Sequence, residues 1–92
     1  MPALISYVDS DLRYRFNNQA YEEWFGHKAN GKKIDEVLGL DAYRKIARYV
    51  DEALSGRLVT YQTEIPYLGK GARFVEATYV PDRGENGQVR GF

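Results

Sequence analysis

Apolar and polar residues alternate in two short runs near the start of the chain. Residues 3–8 are apolar apart from one serine. Residues 12–16 place Leu12, Tyr14 and Phe16 at every second position, with arginines between them. Alternation of this kind is typical of a strand with one buried face. Because the Asp-Ser-Asp segment between the runs is rich in turn-forming residues, the two runs predict a β-hairpin.

Helical spacing follows in the middle of the chain. Asn18 is a predicted N-cap for a helix over residues 19–25. Residues 34–38 predict one short amphipathic turn of helix. The longest helix is predicted over residues 42–54, with Asp41 as its N-cap, because apolar residues recur there at intervals of three and four. Those apolar residues are Tyr43, Ile46, Ala47, Val50 and Leu54.

The last third of the chain returns to strand patterns. Residues 58–67 and 72–80 alternate and predict two strands joined by a glycine-containing turn. Residues 82–87 predict a second turn, and residues 88–92 begin a final strand that the chain end cuts short. Strands at both ends with helices between them predict an antiparallel α+β domain. Since the final strand is so short, we interpret residues 1–92 as a single domain from a larger protein.

Composition and charge narrow the classes of function. In a chain of 92 residues, Lys plus Arg and Asp plus Glu both number 13, so the formal net charge is zero. A nucleic-acid-binding domain usually has a basic surface, and an anionic membrane attracts basic segments. We therefore expect no nucleic acid and no direct membrane contact. The chain has no cysteine, which excludes disulfides and thiolate nucleophiles. A small domain without disulfides fits a reducing compartment, so we expect a cytoplasmic location.

The sequence contains no arrangement typical of a catalytic or metal site. His27 is the one histidine, and we predict it at the surface because a lone imidazole lacks the other ligands of a metal site. Asp9 and Asp11 could form a carboxylate pair for acid–base chemistry, but turn formation is the simpler explanation. The segment 69–71 lacks the spacing of a phosphate-binding loop. We predict no enzyme activity, no catalytic residue, no metal and no cofactor.

The ordered set of motifs resembles the PAS family. Residues 9–16, followed by Asn18-Gln19-Ala20, are similar to the family's pattern of strand, turn, second strand and Asn-x-Ala at the start of a helix. The other similar segments, in chain order, are Trp24-Phe25-Gly26, residues 31–39, residues 53–56, residues 79–82 and residues 87–92. The resemblance covers nearly the whole chain in the right order.

The resemblance implies a five-stranded antiparallel sheet in the order 2-1-5-4-3, with helices packed on one face and the last strand truncated. It also implies a role in bacterial signal transduction, upstream of an effector such as a histidine kinase of a two-component system or a cyclic-dinucleotide enzyme. Many such domains form homodimers, which makes a homodimer the expected state. The family's cysteine-dependent chromophores are excluded here, and the predicted long helix has no histidine to ligate haem. Noncovalent flavin binding stays open.

Tyrosine is the unusual component of this sequence, with eight residues. A tyrosine combines a large apolar ring with one polar group, which suits the wall of a cavity. The resemblance places a small-molecule cavity between the long helix and the sheet. The predicted ligand-binding residues are Trp24, Tyr43, Ile46, Val50, Tyr61, Thr63, Val75, Ala77 and Tyr79. The alternative is a filled core in a ligand-free dimerisation module, with Ile5, Tyr7 and Tyr67 as contact candidates; Asn18 is predicted to cap a helix and not to bind ligand.

Overall fold

The computed structural model describes residues 3–26 and 28–92. His27, predicted at the surface, lies outside the described residues. Within them the chain forms strands and helices in the order β1 (Ser6–Val8), β2 (Tyr14–Asn17), α1 (Gln19–Phe25), α2 (Ile34–Leu38), α3 (Leu40–Leu54), β3 (Val59–Tyr67), β4 (Gly71–Tyr79), β5 (Asp82–Arg83) and β6 (Val89–Gly91). The predicted α+β class, with antiparallel strands at both ends and helices between them, is confirmed.

The strands form three antiparallel pairs, β1–β2, β3–β4 and β5–β6, within the described part of the chain. The predicted order 2-1-5-4-3 of a single five-stranded sheet is not confirmed. Strand β4 ends before Val80 and Pro81, and the pairing resumes only at Asp82. Proline has no backbone N–H to donate to a neighbouring strand, which accounts for an interruption at this point. The prediction of a simple turn over residues 82–87 was therefore wrong at its start, because Asp82 and Arg83 pair with β6.

Backbone hydrogen bonds connect β1 with the end of the chain. The amide of Val8 donates to the carbonyl of Phe92, and the amide of Phe92 donates to the carbonyl of Val8, both at 2.9 Å. Asp9 and Gly91 form an isolated antiparallel bridge beside these bonds. The Tyr7 hydroxyl donates to a carboxylate oxygen of Asp82 at 2.6 Å. Strands β1, β5 and β6 are thus held together although they belong to separate pairs.

The two ends of the β1–β2 hairpin use side-chain oxygens as predicted. Asp9 Oδ1 accepts from the amides of Asp11 at 2.9 Å and Arg13 at 3.1 Å, which confirms its role in the turn. Asn18 is the N-cap of α1, because its Oδ1 accepts from the amide of Tyr21 at 3.0 Å. The same oxygen accepts from the amide of Ile5 at 3.2 Å, so Asn18 also fixes the segment before β1.

The start of the long helix differs from the prediction. Its N-cap is Gly39, and Asp41 lies inside the first turn, so the prediction of Asp41 as N-cap was wrong. Gly39 ends α2 and starts α3 with φ at 95°, a conformation that favours glycine. A Cβ at this position would lie 2.8 Å from the Cβ of Leu68. The sharp junction between the helices therefore depends on glycine for both its backbone angle and the space it leaves.

The core lies between α3 and the β3–β4 hairpin. Ile46 and Val50 of α3 are buried, and so are Val59, Tyr61 and Ile65 of β3. The polar residues between them on β3 are exposed, which confirms the predicted alternation. Strand β4 is different, because the inner residues of its second half are only half-buried. The face of β4 that looks towards the helices is therefore incompletely covered by the core.

Candidate functional site

A cavity of about 720 Å³ lies between the helices and the β3–β4 hairpin. Its walls come from β1–β2, from all three helices, from β3–β4, from the segment before β1 and from Phe92. Aliphatic side chains make up much of the wall; they include Val8, Ile34, Leu38, Ile46, Ile65 and Val75. The polar residues on the wall include Tyr14, Tyr21, Tyr61, Tyr67 and Tyr79, here called the tyrosine cluster.

Tyr14 and Tyr21 form the first pair of the tyrosine cluster. Strand register places Tyr14 opposite Val8, and both side chains are buried. Tyr21 follows the Asn18 cap by three residues, so the first turn of α1 brings its ring to 5.4 Å from the ring of Tyr14. The two hydroxyls are hydrogen-bonded to each other. Burial raises the pKa of Tyr14 to about 12 and raises the pKa of Tyr21 well above its usual value.

Tyr61 and Tyr79 form the second pair. They stand on neighbouring strands one diagonal step apart, since Tyr61 lies opposite Ala77 in the register. Their hydroxyls are 2.6 Å apart and hydrogen-bonded. The ring of Tyr49, on α3, stacks on Tyr61 with a centroid distance of 4.0 Å and an angle of 6°. Burial raises the pKa of both Tyr61 and Tyr79, so this pair is also neutral at physiological pH.

Tyr67 is the fifth member of the tyrosine cluster and stands near the end of β3. Its ring contacts Trp24 and Phe25 of α1 edge-on, at centroid distances of 5.0 Å and 5.8 Å. The ammonium of Lys70 lies 4.9 Å above the Trp24 ring, on the rim of this aromatic group. Burial raises the pKa of Tyr67 to about 12. No hydrogen bond of its hydroxyl is found within residues 3–26 and 28–92.

Most polar residues of the cavity wall are neutral. Glu76 is a wall residue, but its position on β4 is exposed and its carboxylate accepts from Gln62 at 3.3 Å. Among the described residues, no cluster of three or more His, Cys, Asp or Glu could hold a metal ion. The arrangement can thus surround an uncharged molecule and form hydrogen bonds to it through phenols.

The structure brings together only some of the predicted ligand-binding residues. Ile46, Tyr61, Val75, Ala77 and Tyr79 line the cavity. The other four are not wall residues. Trp24 contacts the ring of Tyr67, and Val50 is buried in the core. Tyr43 and Thr63 are half-buried. The role of each of the nine in binding a ligand stays a prediction.

Tyr14 and Tyr21 line the cavity although they are not among the predicted ligand-binding residues, and so does Tyr67, which was predicted as a contact residue. The signals were present, because Tyr14 occupies an inner position of an alternating strand and Tyr21 follows a helix cap by three residues. A further residue absent from the predictions is Asn17, whose buried side-chain amide has no hydrogen-bond partner among the described residues. Asn17 lies opposite Ser6, a residue of the cavity wall. Such a group is costly unless water or a ligand satisfies it.

Fold and site together define a class: a small antiparallel α+β domain with a mainly apolar, partly open cavity between its helices and strands. A family model described as the PAS fold matches residues 1–92, and the chain belongs to that family. This confirms the resemblance found in the motifs, and it makes the domain a sensory or interaction module. A comparison with curated protein sequences gives no significant match. Of the helices described, none combines the length and the apolar character needed to cross a membrane.

Proposed function

We propose that this PAS domain is a sensory module that binds a small molecule in the cavity of the tyrosine cluster and relays its presence to an effector. The observation that carries the proposal is the cavity itself, at about 720 Å³. Small-molecule sites are typically concave and mostly apolar, with a few polar groups that orient the ligand. A space of this size supports a binding site over a filled aromatic core, the alternative considered for these tyrosines.

A ligand in this cavity would touch the residues that join β1 to β6. Phe92 lines the cavity and packs against Tyr79 with a centroid distance of 4.8 Å. The backbone of the same residue is hydrogen-bonded to Val8. A ligand transmits a signal only if it binds one conformational state more tightly than another. We propose the β1–β6 pairing as the element whose two states the ligand distinguishes, and a kinase or cyclic-dinucleotide enzyme of a bacterial signalling protein as the effector.

The proposal is tested by filling the cavity. Ala77 lines it from β4, so an Ala77→Leu variant would reduce its volume. Ala72 lies on the same strand at an exposed position, and Ala72→Leu is the matched control. Native mass spectrometry of freshly purified protein and a thermal-shift screen of metabolites would detect ligands. We expect a ligand that stabilises the wild type and the control but not Ala77→Leu. Absence of a retained molecule, together with a flat screen, would contradict the proposal.

A ligand-free dimerisation module is the second candidate function. Ile5 and Phe16, near the start of the chain, expose 55% and 51% of their surface. Ile5 is joined to Asn18 by a backbone hydrogen bond, so this apolar surface is held in place. Analytical ultracentrifugation of wild type and of Phe16→Ser would test it, because Phe16 lies outside the cavity wall. A dimer that dissociates in the variant supports this candidate, and a wild-type monomer contradicts it.

A further inference from the structure

The chemistry of the cavity wall restricts the class of ligand, if the proposed function holds. Three properties of the wall bear on this restriction: its charge, the number of free phenol hydrogens, and the shape of its aromatic side chains.

Charge is the first property. The polar residues of the wall are the tyrosine cluster, Ser6, Thr78 and Glu76, and Glu76 lies at an exposed position. Burial raises the pKa of every member of the tyrosine cluster. They are therefore neutral across the physiological range of pH. An ionised carboxylate or amine placed among them would lose its hydration without gaining an opposite charge. The wall therefore selects against ions of either sign.

Free hydrogens are the second property. A phenol has one hydrogen to donate, and its oxygen accepts. Within the Tyr14–Tyr21 pair one hydrogen is used, and the same holds for the Tyr61–Tyr79 pair. One hydrogen of each pair is left, and Tyr67 keeps its own because no partner is found among the described residues. The tyrosine cluster thus has hydrogens to donate that its internal bonds do not use, and a ligand oxygen that accepts would satisfy them.

Shape is the third property. Aromatic rings stand on several sides of the cavity: the tyrosine cluster, Phe25 from α1 and Phe92 beyond β6. Many of these rings meet edge-on or tilted, for example Tyr61 and Tyr79 at 79° and Tyr79 and Phe92 at 44°. Rings prefer offset-stacked or edge-to-face contacts with one another. A flat aromatic molecule could continue this pattern of contacts.

We infer that the cavity takes a neutral, flat aromatic molecule that carries a hydrogen-bond-accepting oxygen, such as an aryl ketone. The inference rests on the proposed function and adds to it the chemical class of the ligand. The acceptor oxygen receives hydrogens from the tyrosine cluster, and the ring packs against the aromatic wall.

Three probes of nearly equal size separate the contributions of the ring, the acceptor oxygen and a negative charge to binding. They are 2-acetylnaphthalene, 2-ethylnaphthalene and 2-naphthoate. The first has a ring and an acceptor, the second a ring alone, and the third a ring with a negative charge. We expect 2-acetylnaphthalene to bind most tightly by isothermal titration calorimetry, although 2-ethylnaphthalene is the more hydrophobic. We expect 2-naphthoate to bind at least about tenfold more weakly, because its charge has no partner.

A Tyr67→Phe variant tests the donor, because the Tyr67 hydroxyl has no partner among the described residues, whereas removing one phenol of a pair would free the hydrogen of the other. Removing one neutral hydrogen bond should weaken the binding of 2-acetylnaphthalene by about two- to tenfold and leave 2-ethylnaphthalene unchanged. Tyr43→Phe is the matched control, because Tyr43 is a tyrosine outside the cavity wall. Equal losses in both variants, or a loss for both probes, would point to a change in the fold and overturn the assignment of the donor.

The failures of this inference and of the proposed function can be told apart. If 2-ethylnaphthalene or 2-naphthoate binds best, and Ala77→Leu abolishes that binding, the cavity is a ligand site and only the ligand class is wrong. If no probe binds but the metabolite screen gives a ligand that Ala77→Leu excludes, the inferred ligand class is wrong and the proposed function stands. If neither the probes nor the screen gives a ligand, both proposals fail.

Discussion

Replacing Gly91 with alanine should destabilise the domain strongly, because Gly91 lies where β6 meets β1. A Cβ at this residue would be 2.3 Å from the carbonyl oxygen of Val8 and 2.8 Å from the hydroxyl oxygen of Tyr7. Real Cβ atoms do not approach a backbone oxygen so closely, so one of the strands must move. The backbone angle of Gly91 is not in the left-handed region, so the effect comes from space alone.

The size of the effect follows from what the movement breaks. The obstacle at Val8 is backbone, which cannot rotate away as a flexible side chain can. Moving it disturbs the two 2.9 Å hydrogen bonds between Val8 and Phe92. Overpacking typically costs 1–3 kcal/mol and a lost hydrogen bond 0.5–1.5 kcal/mol, so we expect a loss of about 2–4 kcal/mol. For a domain of this size the melting temperature should fall by roughly 10–25 °C.

Urea and thermal denaturation followed by circular dichroism would measure this loss. Gly84→Ala is the matched control, since the nearest atom to its new Cβ is the flexible Arg90 Cδ at 3.4 Å. We expect the control to stay within about 0.5 kcal/mol of the wild type. If Gly91→Ala were as stable as Gly84→Ala, β6 would not pack on β1 as described, and the proposed path from the cavity to β1 would lose its basis.

Three further predictions concern the cap, the tyrosines and the core. Asn18→Ala should lower the free energy of unfolding by about 1–2 kcal/mol, and Asn18→Asp should lose less in the same denaturation assay, because it keeps the capping oxygen and loses only the bond from Asn18 Nδ2 to the carbonyl of Ala3. Equal losses in the two variants would exclude capping. The pKa of Tyr14 and Tyr67 is raised to about 12, so the folded state holds their protons longer than the unfolded state, and stability should fall as pH rises from about 10 towards 12. Phenolate absorbance should then rise together with unfolding, and ionisation of all tyrosines near pH 10 in folded protein would contradict this. Ile65→Ala should cost about 2–5 kcal/mol in urea, because Ile65 is 1% exposed. Ile5→Ala, at a position 55% exposed, is its control, and similar losses in the two would refute the assigned core.

Elements with a strong period could be predicted from the sequence, and junctions between elements could not. The alternation in β3 identified its buried face, and the spacing in α3 identified the helix. The start of α3 was misplaced because Asp41 is a good capping residue in isolation, whereas the close approach of Leu68 to Gly39 decides the junction. A contact between residues so distant in sequence leaves no local pattern. The two residues of β5 are likewise too few to show any period.

In the candidate site, too, local patterns could be predicted from the sequence and contacts between elements could not. Alternation indicated the inner face of β3 and β4, and three inner residues of β4 do line the cavity. It could not indicate which inner residues meet the cavity and which meet other side chains, so Thr63 and Val75, opposite each other in the register, differ in this respect. The Tyr14–Tyr21 pair depends on how α1 folds back over β2 after a single cap residue. The angle between α1 and β2 depends on tertiary packing, so the local sequence does not predict it.

Burying the tyrosine cluster lowers the stability of this domain relative to a core made of leucines. Each buried phenol loses hydration and regains only part of it through the one hydrogen bond within a pair. Phenylalanine would fill the same volume without a polar group to satisfy. If stability alone mattered, phenylalanine would be favoured over tyrosine at these positions. If the interior recognises a ligand, the tyrosine hydroxyls are needed to bind it. The stability of Tyr→Phe variants in the empty domain, set beside their affinity for ligand, therefore distinguishes a packed aromatic core from a binding site.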